Sequence, residues 1–176
     1  MINLSSKSVL MVIAPEDFRD EELQEPKDIL TEYGAKVTVA SKETDSATGM
    51  LGATVMVDKH LAEVDPKDYD AVIFVGGTGA SVYFKDVVAK NLAKDAYQEG
   101  KIVGAICIAP SILANAGLLE DKIATSYSSQ EGNLRDKGAN YTGAGVEVDG
   151  KIVTGKGPKV ASDFGQKVAE VLSKKG

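Results

Sequence analysis

Cys107, the only cysteine of the chain, lies in a segment whose small residues could place a reactive thiol at a sharp turn. Residues 104–110 read GAICIAP, so Ala105 and Ala109 stand two positions before and after the thiol. A nucleophile elbow, in which a strand turns abruptly into a helix, needs small neighbours because larger side chains would collide. The N–H groups at the start of the next helix would lower the thiol pKa and favour a thiolate. From spacing alone, a small buried hydrophobic cysteine is an equal alternative.

The elements around this segment alternate between short β-branched runs and longer helical patterns, which predicts βαβ units. The predicted strands are 8–13, 35–40, 69–75, 101–106, 123–126, 146–148 and 151–154, with a short strand or hairpin at 51–57, and the predicted helices are 21–33, 85–99, 110–116, 130–137 and 158–173. Crossover helices return the chain to the same edge of a sheet, so that the strands run parallel. We therefore expect an α/β fold, a three-layer sandwich with a largely parallel sheet and helices on both faces.

Ligands of open parallel sheets bind beyond the carboxyl ends of the strands. Three of these ends carry the interesting residues, at 14–22, 76–80 and 107–110. The turn 76–80, GGTGA, lacks the full dinucleotide fingerprint and is more typical of a turn that presents backbone N–H groups. Residues 150–156, GKIVTGK, imitate the start of a phosphate-binding loop, but residue 157 is glycine rather than serine or threonine, so we predict a strand there.

The composition is that of a globular protein of 176 residues with a formal charge of −6. This length predicts a single domain over residues 1–176. Lysines are scattered among acids, so no nucleic-acid partner is expected, and no apolar run is long enough to predict a membrane partner. The N-terminus has no secretory pattern, which predicts a cytoplasmic protein. With one cysteine and one histidine, neither a disulfide nor a cysteine-rich zinc site is possible.

A strand, a Gly-Gly turn, a helix, a further strand and then the motif AICxxP follow one another in this chain. From Val9 to the Gly157-Pro158 start of the last helix, that order resembles the ThiJ/PfpI superfamily, which includes the DJ-1 and PfpI families. The resemblance implies a flavodoxin-like sheet of the class I glutamine amidotransferase-like type, with a nucleophile elbow at Cys107. It also implies a homodimer and a cysteine enzyme that needs no cofactor and no metal.

The resemblance also implies the residues around the thiol. The acidic segment before Pro26 places Glu22 on the glutamate that pairs with the nucleophile, with Glu21 as the fallback. A carboxyl close to a thiolate should be partly protonated, since two neighbouring negative charges oppose each other. The N–H groups of Gly77 and Ile108 match the oxyanion-hole donors. The residues expected as possible pocket lining are Gly76, Thr78, Tyr83, Ser126 and Tyr127, although Tyr83 could equally be a packing residue.

Two histidines of the superfamily are missing from this chain. Ile108 occupies the position that is histidine in PfpI-type proteases, and Ser126 the one that is histidine in the DJ-1 branch. The only histidine, His60, is predicted to be a surface residue away from the thiol. Without a histidine, peptide hydrolysis loses acid-base help that is typically worth about 10²- to 10⁴-fold.

Addition of a thiol to a reactive aldehyde needs no protonation of a leaving amine. The resemblance therefore favours a glyoxalase III-like or deglycase-like stress protein that acts on small carbonyl compounds or on the adducts they leave on protein side chains. Two alternatives remain open. One is an intracellular cysteine peptidase like PfpI. The other is a redox sensor or holdase chaperone in which Cys107 is oxidised reversibly.

Overall fold

The computed structural model describes residues 1–174, and all elements below lie within them. The strands are β1 Ser8–Val12, β2 Glu16–Phe18, β3 Lys36–Ser41, β4 Ser46–Gly49, β5 Thr54–Met56, β6 Lys59–His60, β7 Ala71–Phe74, β8 Ile102–Ile106, β9 Ile123–Ala124, β10 Asn140–Tyr141, β11 Val146–Asp149 and β12 Ile152–Gly155. The α-helices are α1 Asp20–Glu32, α2 Val87–Gln98, α3 Pro110–Asn115, α4 Glu131–Asp136 and α5 Ala161–Lys174, and single 3₁₀ turns include Thr78–Tyr83, Ser128–Gln130 and Pro158–Val160.

Seven strands form the central sheet in the order β11-β12-β8-β7-β1-β3-β6. Every neighbouring pair is parallel except β11 and β12, which form the antiparallel hairpin predicted around Asp149 and Gly150. Strands β7 and β8 are buried along their whole length. Their continuous apolar sequences are typical of parallel strands that are covered on both faces. The predicted mixed α/β fold with a mostly parallel sheet is therefore confirmed.

Helices cover the sheet on both faces, and successive residues of a strand alternate between them. Leu10 and Phe74 pack in one buried cluster with side chains of α2, α3 and α4. Met11 and Ile73 belong to a second cluster, with side chains of α1 and α5. Helices α1 and α5 approach so closely that a Cβ on Gly165 would lie 2.7 Å from the Cα of Pro26. The result is the predicted three-layer sandwich.

Two of the predicted strands lie outside the central sheet. The short strand or hairpin predicted at 51–57 is the single strand β5, which pairs with β4, outside the predicted range, in a separate three-stranded sheet with β2. The strand predicted at 123–126 stops at Ala124 and pairs with β10. Thr125 leaves the ladder because its N–H donates to Thr154 Oγ1 and its hydroxyl donates to the Ala144 carbonyl. Side-chain hydrogen bonds therefore replace strand pairing at this position.

Candidate active site

Cys107 lies between the end of β8 and the start of α3, at the carboxyl edge of the sheet. Its φ is +66°, a left-handed conformation that is uncommon for residues other than glycine. Two hydrogen bonds hold this backbone: the Cys107 N–H donates to the Gly155 carbonyl at 2.9 Å, and the Cys107 carbonyl accepts from the Tyr127 N–H at 2.8 Å. Ala105 and Ala109 are fully buried beside it. The geometry is that of the predicted elbow, and its strained backbone is held by strand β12 and by the segment that follows β9.

Glu22, in the first turn of α1, meets Cys107 across Gly76. The Glu22 side chain is 0 % exposed. A Cβ on Gly76 would lie 2.5 Å from both the Cys107 Cβ and the Glu22 Oε1, so only glycine leaves room for the two side chains. The fallback, Glu21, lies on the outer side of the helix, where both of its carboxylate oxygens accept hydrogen bonds from Arg19 at 2.8 and 3.0 Å. Of the two candidate glutamates, the fold thus brings Glu22 to the thiol.

The pKa values of these adjacent glutamates are shifted in opposite directions. Loss of hydration raises the pKa of Glu22 to about 8, although the Cys107 thiol and the Gly76 backbone oppose that shift. Neither Glu22 oxygen completes a hydrogen bond with any of residues 1–174. The hydrogen bonds from Arg19 lower the pKa of Glu21. At neutral pH the Glu22 carboxyl is therefore mostly protonated, in line with the expectation that a carboxyl beside the thiol keeps its proton.

The expectation of a lowered thiol pKa is wrong for the resting site. Burial raises the pKa of Cys107 to about 12, and the negative charge of Glu22 acts in the same direction. The backbone N–H groups of Gly77 and Ile108 lower this pKa only in part. The thiol is 8 % exposed, and α3 has only six residues, so its N-terminal dipole does not outweigh the loss of water.

The two predicted oxyanion donors face the sulfur from the Gly-Gly turn and from the elbow. Neither the Gly77 N–H nor the Ile108 N–H donates to a backbone carbonyl anywhere in residues 1–174. Gly77 has φ of +100°, and a Cβ there would collide with the backbone of residues 17–19. The Arg19 N–H donates to the Gly76 carbonyl at 2.9 Å and ties this turn to the start of α1. Both N–H groups are therefore available to a developing negative charge beside the sulfur.

In front of the thiol, a cleft of about 770 Å³ opens to solvent. Besides Cys107, four of the predicted site residues line this cleft: Gly77, Thr78, Ile108 and Tyr127. The other lining residues are Arg19, Met50, Ser128, Ser129, Lys156, Gly157, Pro158, Lys159 and Val160. The Tyr127 ring is half exposed and leans toward Gly157, 3.8 Å from where a Cβ would stand on that glycine. The walls are thus formed by residues that follow β2, β4, β7, β8, β9 and β12.

Three of the residues expected in the pocket lie elsewhere. Tyr83 is buried, and its hydroxyl donates to the Ile13 carbonyl at 2.7 Å, so that it is a packing residue. Ser126 is also buried, and its hydroxyl donates to the Tyr127 carbonyl at 2.8 Å. Gly76 lies behind the thiol, against Glu22, rather than in the cleft. Ser126, at the position that is histidine in the DJ-1 branch, is therefore buried and does not line the cleft.

His60 lies on an edge strand of the central sheet, away from Cys107, and its side chain is 43 % exposed, as predicted for a surface residue. It is in β6, and its Nε2 lies 2.7 Å from Asp45 Oδ1. Strand β6 is four strand steps from β8 in the sheet order, which corresponds to about 19 Å at the usual strand spacing. A Cys-His dyad within one chain is therefore excluded.

Sequence reasoning missed the residues of the cleft's outer wall. Lys156 and Lys159 follow β12, whose carboxyl end lies beside that of β8. Ligands of parallel sheets bind at the carboxyl ends of the strands, and β12 is one of these strands. The position of both lysines just after β12 was therefore the sequence signal that could have found them. Met50 gave no local signal. The turn that carries Met50 is held against α1 by Asp20, which accepts hydrogen bonds from the N–H groups of Leu51 and Ala53.

Two further findings concern metal binding and membrane spanning. No three His, Cys, Asp or Glu side chains in residues 1–174 come together in a way that could hold a metal ion. None of the helices in that part of the chain has the length and apolar character needed to cross a membrane.

Comparison with known sequences places this site in context. The model of the DJ-1/PfpI family matches residues 7–171. An uncharacterized protein of Methanocaldococcus jannaschii is 42 % identical over 175 residues, which covers 98 % of this chain and 85 % of that protein. A deglycase of Pyrococcus abyssi is 35 % identical over 149 residues, covering 85 % and 90 %. A glutathione-independent glyoxalase of Caenorhabditis elegans is 29 % identical over 168 residues, covering 96 % and 90 %.

Comparison with solved structures agrees. The crystal structure of a ThiJ/PfpI domain protein from Brachyspira murdochii superimposes with a TM-score of 0.94 at 36 % sequence identity, and 99 % of each chain is covered. The fold and the predicted resemblance are thereby confirmed over nearly the whole chain.

Proposed function

Because the chain belongs to the DJ-1/PfpI family, we propose that it is a cysteine-dependent enzyme of the glyoxalase or deglycase type, acting on small reactive carbonyl compounds without a cofactor. The observation that carries the proposal is the fully buried Glu22 carboxyl, which meets the Cys107 side chain across Gly76. A nucleophile and a proton carrier in contact are the two groups that such a reaction needs.

The first step is addition of the thiol to the aldehyde of methylglyoxal. The Cys107 sulfur forms a bond to the aldehyde carbon as its proton passes to the Glu22 carboxylate. The electron pair of the C=O bond moves onto oxygen, where the N–H groups of Gly77 and Ile108 stabilise the negative charge. Glu22 then returns the proton to this oxygen, which completes a hemithioacetal. The raised pKa of Cys107 requires this transfer, since the free thiol does not ionise at neutral pH.

The second step moves a proton between the two carbons. The Glu22 carboxylate removes the hydrogen of the former aldehyde carbon and delivers it to the neighbouring ketone carbon, while the hydroxyl proton passes from the first oxygen to the second. The aldehyde carbon is oxidised to a thioester and the ketone carbon is reduced to an alcohol, so no external redox partner is needed. Water then cleaves the thioester, releasing lactate and the free thiol. A carboxyl with a pKa of about 8 is suited to both accepting and donating this proton.

The missing histidine favours this chemistry over peptide hydrolysis. Ile108 follows the nucleophile, and the only histidine lies at the far edge of the sheet. Isomerising a hemithioacetal needs only the thiol and the carboxyl, whereas peptide hydrolysis also requires protonation of a leaving amine. The names of the relatives from Pyrococcus abyssi and Caenorhabditis elegans, a deglycase and a glyoxalase, agree with this choice.

The test is conversion of methylglyoxal to lactate without added thiol, measured for the native protein and the Cys107→Ser and Glu22→Gln variants. We expect loss of turnover in Cys107→Ser and a fall of about 10²- to 10⁴-fold in Glu22→Gln. Glu32→Gln, an exposed residue at the end of the same helix, is the matched control and should keep native turnover. Native turnover in Cys107→Ser, or no turnover in the native protein at high concentration, would contradict the proposal.

We also propose that the protein is a homodimer, on the basis of the family. Apolar side chains on the β4–β5 hairpin support a covered surface there: Leu51 is 64 % exposed and Met56 71 %. Size-exclusion chromatography with light scattering measures the mass directly, and the mass of a single chain across the micromolar range would exclude the dimer.

A further inference from the structure

The cleft in front of Cys107 differs in charge from the rest of the molecule. The chain carries a formal charge of −6, yet the charged residues that line the cleft are Arg19, Lys156 and Lys159, with no acid among them. Arg19 is already neutralised, because both of its hydrogen bonds go to the Glu21 carboxylate. The two lysines therefore determine the charge that a molecule entering the cleft encounters.

Neither lysine has an acidic partner in the described part of the chain. The Lys156 ammonium donates to the Gly143 carbonyl at 3.2 Å, which leaves its charge uncompensated. No carboxylate of residues 1–174 lies within ion-pair distance of Lys156 or Lys159, including Asp163 in the first turn of α5. Lys159 also lies in the turn that leads into the positive end of the α5 dipole, where a cation is unfavourable for the helix. The charge of Lys159 therefore does not stabilise helix α5.

The cleft is also large for the smallest carbonyl substrates. Its volume of about 770 Å³ falls in the range of pockets that bind ligands of drug size, whereas methylglyoxal has only five heavy atoms. Tyr127 and Pro158 add an aromatic and an apolar surface to the same cleft. A larger substrate could therefore contact both the thiol and the lysines.

We propose that Lys156 and Lys159 form a subsite for an anionic group, a carboxylate or a phosphate, on a substrate larger than methylglyoxal whose carbonyl reacts at Cys107. This inference rests on the proposed function for its reacting carbonyl, and it adds the substrate class. The lysines act by binding and orienting the remote part of the substrate. Arg19 stays paired with Glu21 and is not part of this subsite.

The experiment compares two substrates that differ mainly in one charge, phenylglyoxal and 4-carboxyphenylglyoxal. We expect kcat/KM to be higher for the carboxylated compound by roughly tenfold at low salt, and the preference to shrink as salt is added. The Lys156→Gln/Lys159→Gln double variant should lose the preference, so that the two compounds have the same kcat/KM. Lys94→Gln, an exposed lysine on α2, is the control and should keep it. Equal kcat/KM for the two compounds, or a preference that persists in the double variant, would overturn the inference.

A binding measurement separates this inference from the proposed reaction. In the Cys107→Ser variant, calorimetry should detect tighter binding of 4-acetylbenzoate and 4-acetylphenyl phosphate than of uncharged acetophenone, and the two lysine substitutions should abolish the difference. The tighter of the two anions identifies the preferred group. If no glyoxal is turned over but this lysine-dependent binding is found, the proposed reaction fails and the anion subsite stands. Equal binding of all three compounds would overturn the subsite.

Discussion

The two sides of Cys107 differ in water access and in charge. Behind the sulfur, Glu22 and Gly76 fill a space closed to solvent, and the carboxyl there completes no hydrogen bond with the described residues. In front of it, the cleft is open and is lined by lysines without acidic partners. Burial on the closed side gives a carboxyl a pKa of about 8, a value suited to proton transfer. The exposed lysines on the open side do not raise the pKa of a carboxyl in this way. They attract molecules of opposite charge into the cleft in preference to others.

The largest effect is expected from closing the space behind the sulfur. In Gly76→Ala the new methyl group would lie 2.5 Å from the Cys107 Cβ and from the Glu22 Oε1, and both must move. We expect turnover to fall by at least about 10²-fold, because a displacement of about 1 Å has this cost. Unfolding in urea should show a loss of about 1 to 3 kcal/mol of stability.

Gly132→Ala is the matched control for that substitution. Gly132 lies in α4, and a Cβ there would have no heavy atom within 4 Å. Turnover should be unchanged and stability should rise by up to about 1 kcal/mol, since alanine favours a helix over glycine. Full activity in Gly76→Ala would show that the thiol and the carboxyl need not be in contact.

The second-largest effect is the dependence of the free energy of unfolding on pH. The folded protein holds the Glu22 proton up to a pH of about 8, whereas the unfolded chain releases it near 4.5. Between these values unfolding releases a proton, so rising pH favours the unfolded state by about 1.4 kcal/mol per pH unit. The free energy of unfolding of the native protein, relative to that of Glu22→Gln, should therefore fall by about 3 kcal/mol from pH 5 to pH 7.5. Parallel curves for the two proteins in urea titrations would contradict the raised pKa.

The third effect is the pH dependence of turnover. With the pKa of Cys107 near 12, Glu22 is the group of the pair that titrates between pH 6 and 9. If its carboxylate receives the thiol proton, kcat/KM should rise about tenfold per pH unit up to about pH 8 and then level off. Glu22→Gln should show a low, flat profile. A rate that is already constant from pH 6 upward in the native protein would point to a preformed thiolate instead.

The smallest effect is expected at the neighbouring glutamate. Glu21 forms a partly exposed ion pair with Arg19, so Glu21→Gln should change stability by less than about 1 kcal/mol. Turnover of neutral methylglyoxal should stay within about threefold of native, because Glu21 does not contact the thiol. A loss as large as that of Glu22→Gln would mean that the roles of the two glutamates are not separated by burial.

The amino-acid sequence alone predicted six of the seven strands of the central sheet, all but β6. Strands β1, β7 and β8 are short apolar runs bounded by turns, so local patterns sufficed for them. The small residues around Cys107 allowed the elbow as one of two interpretations. The position of Glu22 was predicted through the family motif before Pro26 rather than through spacing. Residue pattern alone had left Cys107 equally open to a packing role.

Only the tertiary structure decided the electrostatics and the walls of the site. The direction of the Cys107 pKa depends on how much water the surrounding elements remove, and here that loss outweighs the short helix α3. Tyr83 turned out to be buried against Ile13, while Lys156 and Lys159 came to the cleft because β12 pairs with β8. Burial and strand pairing join residues that are far apart in the chain, and a local pattern carries no information about either.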